Sequence, residues 1–325
     1  MSRHRAQPQP DPAGAEPQPV TVGGDPLAQL RAARRRAHDA IVEPSPPTPK
    51  DPLPATGRAG RNLPAAIGVG LGLVALLIAS LAFDPIGFAA LALAAVLVAE
   101  WELARAFAVR HIRIPLPPLW VGSVGIVVSS WVAGAQGLLT AYLLTCGAVV
   151  LWRAVDGGGP DAVRDALCGV FAATYLPFLA GFTVLLAAAP QGAALVFTVI
   201  LLGVANDTGG YIAGVLFGKH PMAPSVSPKK SWEGFAGSLA AAALVGALMV
   251  VFALGGPWWV GVVIGVVCVF ASTAGDLAES LIKRDLGLKD MSDLLPGHGG
   301  LLDRLDSLLV CAPVAYALVY ALLGW

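Results

Sequence analysis

LPAAIGVGLGLVALLIASLAF, residues 63–83, runs for 21 positions without a charged side chain. At about 1.5 Å of rise per residue, a helix of that length crosses the roughly 30 Å hydrocarbon core of a bilayer. Eight more apolar runs follow, over 85–104, 117–134, 137–154, 166–189, 193–217, 235–255, 257–282 and 302–324. In hydrocarbon every backbone N–H and C=O must be bonded within the protein. That leaves helices or closed barrels, and these runs lack the two-residue alternation of barrel strands. The expected fold class is therefore all-α: a polytopic transmembrane helix bundle of about nine spans. Its many Gly and Ala residues suit close helix packing in lipid.

Composition agrees with this reading. Hydrophobic residues make up 56% of the 325-residue chain and charged residues only 13%, where a soluble domain carries about 25%. Net charge is zero, so no global field points to nucleic acid, and no nucleic-acid partner is expected. Cys146, Cys168, Cys268 and Cys311 sit singly in apolar runs without CxxC spacing. They read as small buried thiols, with no disulfide and no zinc.

Residues 1–61 differ from the rest, holding 12 of the 26 prolines and few large apolar side chains. Such a segment cannot bury enough surface to fold. The expected division is a disordered Pro/Arg-rich cytoplasmic tail over 1–61 and a transmembrane catalytic domain over 62–325. Within the tail, Arg31, Arg34, Arg35 and Arg36 lie beside Leu27, Leu30 and Ile41. That stretch suits either a short helix on an anionic membrane surface or a solvated topology signal. With the N-terminus in the cytoplasm and nine alternating spans, all 21 Lys and Arg residues fall on the cytoplasmic side. The outer turns near Asp84, Gly134, Pro190, Gly256 and Trp325 carry none, as the positive-inside rule requires.

Polar chemistry collects in two cytoplasmic segments, 206–234 and 272–307. A carboxylate in an apolar span is expensive and points to function. Asp207 lies in the sixth span, while Asp276 and Glu279 lie near the end of the eighth. The spacing of Asp276, Glu279, Ser280 and Lys283 puts them on one helical face. Asp303 and Asp306 open the ninth span around Arg304. Asp276 and Asp303, at matching depth on adjacent spans, suit Mg²⁺, which takes one or two carboxylates plus phosphate oxygens. Asp207, Glu279, Asp290 and Asp306 are additional candidate ligands, and a second cation is an open option. The competing reading is an interhelical ion-pair network with Lys283 and Arg304.

Gly297-His298-Gly299-Gly300 feeds the ninth span, and a Gly-rich turn at a helix start can present free N–H groups to phosphate. His298 suits either a phosphate contact or a local bond within the loop. Lys283, Arg284, Lys289 and Arg304 around the turn suit several phosphate groups. Ser227, Lys229, Lys230 and Ser231 form a second basic, hydroxyl-bearing loop suited to anions. A Walker A sequence, a GxSxG elbow and an HExxH motif are absent, which excludes a P-loop site and argues against lipase and zinc-protease chemistry.

These blocks resemble the phosphatidate cytidylyltransferase family, also called CDP-diacylglycerol synthases. The second block carries Ser280, Lys283-Arg284, Lys289-Asp290, Ser292, Leu295-Pro296, His298-Gly299-Gly300 and Asp303-Arg304-x-Asp306. The first carries Asp207, Tyr211, Gly214, Phe217-Gly218-Lys219 and Ser227-Pro228-Lys229-Lys230-Ser231-x-Glu233-Gly234. The resemblance implies that CTP and phosphatidic acid give CDP-diacylglycerol and pyrophosphate, with a divalent metal, usually Mg²⁺. It implies a multi-pass plasma-membrane enzyme of phospholipid biosynthesis whose site faces the cytoplasm. On this reading Asp276, Lys283, Arg284, Asp303 and Arg304 are catalytic. Ser227, Lys229, Lys230, Ser231, Lys289, His298, Gly299 and Gly300 bind substrate. A homodimer is the working expectation. The alternatives are a related CTP-dependent enzyme acting on an isoprenoid lipid phosphate, and a secondary transporter whose coupling ion binds the carboxylates.

Overall fold

The computed structural model describes residues 63–156, 159–295 and 299–324. The tail over 1–61, His298 and Trp325 lie outside the described residues. Helices α1 (Leu63–Phe83), α2 (Pro85–Ala108) and α3 (Leu116–Val155) come first. They are followed by α4 (Ala162–Ala173), a π-helical turn (Thr174–Phe178) and α5 (Leu179–Ala188). Helix α6 (Gly192–Phe217) leads into a hairpin of β1 (Pro221–Ala223) and β2 (Ser227–Ser231), and α7 (Trp232–Phe252), α8 (Trp258–Leu286) and α9 (Leu302–Leu323) complete the chain.

The helix ends follow local chemistry. Asp84 caps α2, its Oδ1 accepting from Ile86 N at 2.9 Å, with Pro85 in the first turn where no intrahelical N–H is needed. Gly287 closes α8 at φ 72°, a left-handed conformation that only glycine adopts cheaply. Pro177 lacks a helical donor, and the widened turn Thr174–Phe178 absorbs that loss without ending the apolar run.

Seven helices among the described residues are long and apolar enough to cross a membrane, and α1 contributes a shorter apolar stretch, Gly70–Ala82. This is a membrane protein. The count differs from the nine expected runs partly because 117–134 and 137–154 join as α3. A straight helix of 40 residues would be about 60 Å long. It is not straight: Gly134 has φ 61° and ψ −148°. A methyl group on Gly122 would overlap the Thr145 side chain, and one on Gly137 would overlap the Ser129 carbonyl. Residues on either side of Gly134 therefore face each other, and the chain doubles back there. Outward-facing apolar residues such as Val132 (78% exposed) and Phe252 (82% exposed) suit contact with lipid.

Two large apolar clusters, with two smaller ones beside them, hold the bundle. One joins α6 to α9 around Leu202, Val250, Ile264 and Cys311. The other joins α2, α3, the π turn and α9 around Leu103, Leu119, Leu176 and Leu302. All four cysteines are free thiols. Helices α6, α7 and α8 approach almost backbone to backbone. A Cβ on Gly209 would lie 2.7 Å from the Gly237 carbonyl, and one on Gly261 would overlap the Gly246 carbonyl. In lipid such contacts, rather than expulsion of water, bind helices together.

Gly261→Leu therefore forces α7 from α8. Overpacking of this kind costs about 1–3 kcal/mol, and a fall of several degrees in the apparent Tm of the detergent-solubilised protein is expected. Gly125, where an added methyl meets nothing within 4 Å, is the control. Equal shifts for Gly261→Leu and Gly125→Leu would refute the backbone contact.

Candidate active site

The polar ends of α6 and α8, the hairpin and the start of α7 enclose a cavity of about 180 Å³. Asn206 and Asp207 face it from α6, Lys229, Lys230 and Ser231 from β2, and Thr273 and Asp276 from α8. Glycines keep it open: Gly210, Gly214 and Gly234 line it without side chains. The hairpin is fixed from below. Glu233 accepts from Lys219 N at 3.1 Å and His220 N at 3.2 Å, and its Oε1 lies 2.5 Å from His220 Nδ1. Ser231 caps α7 by accepting from Gly234 N at 3.1 Å. These bonds hold the lysines of β2 over the end of α8.

Inside the cavity Lys230 forms an ion pair with Asp276 Oδ2. Asp276 Oδ1 accepts from Ser280 Oγ at 3.2 Å. Asn206 Nδ2 donates to Asp207 Oδ1 at 3.0 Å, while Asn206 Oδ1 is buried without a hydrogen-bond partner. Among the described residues no three His, Cys, Asp or Glu side chains form a ready-made metal cage. A hard cation does not need one when phosphate supplies further oxygens. Two carboxylates, Asp207 and Asp276, line one cavity and offer it oxygen donors. That set fits Mg²⁺.

Asp303 has different surroundings and does not line this cavity. Asp276, Glu279 and Lys283 descend one face of α8. Lys283 Nζ lies 3.3 Å from Glu279 Oε2 and 2.8 Å from Asp303 Oδ1. Asp303 Oδ2 accepts from Met291 N at 3.0 Å and Gly300 N at 2.8 Å. The two carboxylates expected to share a metal thus stand in two adjoining networks. Asp276 is open to the cavity, whereas Asp303 is engaged by three protein donors. Asp306 is buried beside Glu279, its Oδ1 accepting from Ser307 N at 2.6 Å. Arg284, Lys289, Asp290 and Arg304 are exposed at this end of the bundle, and Ser227 is half-buried in the hairpin.

The glycine turn also differs from expectation. The Gly299 N–H donates to the Leu295 carbonyl at 3.2 Å and the Gly300 N–H to Asp303, so the two expected phosphate donors are satisfied within the protein. The next two amides go to Glu102 of α2, which the sequence reading passed over. Leu301 N donates to its Oε1 at 3.0 Å and Leu302 N to its Oε2 at 2.8 Å, and Ser292 Oγ also donates to Oε1. Glu102 is fully buried. It caps α9 from a helix 200 residues away in sequence. A Cβ on Gly300 would sit 3.0 Å from Asp303 Oδ2 and 3.1 Å from both Glu102 oxygens, so the position is shaped for glycine. The signal for Glu102 was an acidic residue in the otherwise apolar second run, beside Glu100, which accepts from Ser123 Oγ at 2.5 Å.

Glu102→Ala leaves three donors without an acceptor, and each buried donor left unsatisfied costs on the order of 1–3 kcal/mol. Amide hydrogen exchange at Leu301 and Leu302 is expected to quicken by roughly tenfold or more, with a lower apparent Tm. Unchanged protection at those amides would show that the cap is not formed.

Comparison with known proteins bears on what this arrangement does. A family model described as the cytidylyltransferase family matches residues 64–322. A phosphatidate cytidylyltransferase of Mycobacterium leprae is 43% identical over 279 residues, covering 81% of this chain and 89% of the relative. One of Mycobacterium tuberculosis (strain H37Rv) is 41% identical over 286 residues, covering 84% and 87%. One of Pseudomonas aeruginosa is 37% identical over 213 residues, covering 59% and 71%. The chain belongs to the cytidylyltransferase family.

Proposed function

We propose that this chain is a phosphatidate cytidylyltransferase: CTP and phosphatidate give CDP-diacylglycerol and pyrophosphate, a step that feeds phospholipid synthesis. The observation that carries the reading is the cavity in which Lys229 and Lys230 face Asp207 and Asp276, in a chain more than 40% identical to relatives of that name. A phosphate oxygen of the lipid attacks the α-phosphorus of CTP. A new P–O bond forms as the bond to the β-phosphate oxygen breaks, and pyrophosphate leaves with that electron pair. The attacking phosphate is anionic near neutral pH, so catalysis is mostly positioning and charge neutralisation.

Lys229 and Lys230 serve as phosphate-binding cations. The Lys230–Asp276 pair keeps both groups in place before substrate enters, and Ser231 adds a hydroxyl at the same wall. Asp276 and Asp207 are assigned to Mg²⁺, which when bound supplies positive charge against the phosphate oxygens. Asp303 is assigned a positioning role, because it holds Lys283 and the glycine turn. Arg284 and Lys289, exposed at this end of the bundle, supply a basic rim for the triphosphate and pyrophosphate, while Lys283 is held between Glu279 and Asp303.

We also infer nine membrane crossings, counting the two arms of α3 separately and α1 in full. Support comes from the reversal at Gly134 and from the charge pattern: nine crossings place every Lys and Arg on one side. That side is assigned to the cytoplasm, where CTP is available, and the membrane to the plasma membrane.

Purified protein given labelled CTP, phosphatidic acid and Mg²⁺ is expected to release pyrophosphate and form CDP-diacylglycerol. Release of CDP instead would mark a lipid kinase and overturn the reading. Chelation should abolish turnover and Mg²⁺ restore it. Asp276→Asn is expected to lower kcat by roughly 10²-fold or more, since removing one group that stabilises transition-state charge costs about that much. Near-normal turnover of Asp276→Asn at limiting Mg²⁺ would remove Asp276 from the metal site.

A further inference from the structure

A second cavity of about 250 Å³ lies between α1, α2, α5, α6 and α9. Its lining is almost wholly hydrocarbon, including Leu77, Ala92, Ile200 and Leu308, and Arg304 is the only charged residue among the lining residues. Packed protein interiors leave few voids larger than a water molecule. An apolar void of this size does not hold water well, because water there lacks polar partners. In a bilayer its natural occupant is an alkyl chain. The position of Arg304 narrows the choice. It opens α9 at the polar end of the bundle, next to Asp303, so an alkyl chain in this groove would carry its anionic head beside a guanidinium.

The groove is continuous in helix register with the polar cavity. Val196, Val199 and Ile200 line the groove, and Asp207 and Gly210 line the cavity. At 3.6 residues per turn all of them fall on one face of α6. Gly203 lies on that face between the two sets, and a Cβ there would meet Leu308 of the groove at 2.9 Å. From Ile200 to Asp207 the rise along α6 is about 10 Å.

We propose that this groove holds the acyl chains of the phosphatidate substrate, with Arg304 at its headgroup end. The proposal rests on the reaction proposed above and adds where the lipid lies. Arg304 then orients the lipid phosphate toward the cavity, and the chains reach it sideways through the bilayer between α1 and α9.

The test uses two substrates, dioleoyl and dihexanoyl phosphatidate, and the full-length variants Ala92→Trp and Ile200→Trp. The KM for the dioleoyl lipid is expected to rise by about tenfold, equivalent to about 1.4 kcal/mol. The KM values for CTP and for the dihexanoyl lipid should change by less than about twofold, since the short chains need little of the groove. Parallel changes for both lipids, or none for either, would overturn the proposal. Should both variants fail to fold, wild-type protein is irradiated with a phosphatidate bearing a diazirine at the chain end. Adducts on the groove faces of α1, α2 and α9, suppressed by excess dioleoyl phosphatidate, support the assignment. Adducts confined to outward-facing residues such as Val132 or Phe252, or groove adducts that phosphatidate does not suppress, sink it. If wild-type protein converts neither lipid, the reaction itself is wrong, while the adduct map still decides the groove.

Discussion

Glu102 ties the second helix to the start of the last one, and the polar end of the bundle is organised around that tie. Its carboxylate is fully removed from solvent, yet it accepts from Ser292 and from the first amides of α9. A helix start leaves unsatisfied N–H groups, and in a low-dielectric setting each is costly. Usually a nearby Ser, Thr, Asp or Asn supplies the acceptor. Here residue 301 is Leu and the local acceptor, Asp303, is already taken up by Met291, Gly300 and Lys283. The cap must come from elsewhere. Because the acceptor is an anion, it also complements the positive end of the α9 dipole. The result is a fixed azimuth for α9, and hence for Asp303, Arg304 and Asp306 on its first turns.

That constraint passes to α8 through one lysine. Lys283 sits between Glu279 and Asp303, three-quarters or more shielded, so neither carboxylate is left as an isolated buried charge. Removing one partner of such a pair is strongly destabilising, on the order of 3–5 kcal/mol, although the intact pair adds little net stability. Its value here is geometric. It sets the rotation of the lower half of α8, and Asp276 lies seven residues earlier on the same face. Asp276 then meets Lys230, whose strand is held by Glu233 and Ser231. A path of charged and capped contacts thus runs from α2 through α9 and α8 to the hairpin. Its first link spans 200 residues of sequence, while the next joins consecutive helices.

This is why the fold was more legible than the site. Length and hydropathy mark each apolar run locally, and a single glycine, Gly134, separates two runs that the structure joins in one turn of chain. Asp207, Asp276 and the two lysines of β2 stood out because charges are rare in such a chain. Local spacing could not show that Gly299 and Gly300 spend their amides inside the protein. A glycine turn before a helix looks the same whether its amides face a phosphate or, as here, the Leu295 carbonyl and the Asp303 carboxylate. Nor could it separate Asp276 from Asp303, since both are acidic and close to a helix end. What distinguishes them is how many protein donors each already has, a property of tertiary contact. Glu102 was visible as a charge in an apolar run, but nothing in that run pointed to Ser292 and the amides of α9 as its partners.

Helix α6 shows a pattern that a search for amphipathic helices misses. Amphipathicity is ordinarily sought around a helix, as one apolar stripe and one polar stripe. In α6 it runs along the axis of a single face. Val196, Val199 and Ile200 come first, then Gly203, then Asp207, Gly210 and Gly214. The first three present hydrocarbon to a groove, and the last three present a carboxylate and bare backbone to a polar cavity. The glycines also let α7 come close enough for β2 to bring its lysines over that carboxylate, since a Cβ on Gly210 would stand 2.6 Å from Ser238 Oγ and one on Gly209 2.7 Å from the Gly237 carbonyl. One helix face therefore borders both an environment for alkyl chains and one for phosphates. Chemistry that joins a lipid phosphate to a water-soluble nucleotide needs both within a few turns of helix, because the reacting atoms belong to molecules that partition into different solvents.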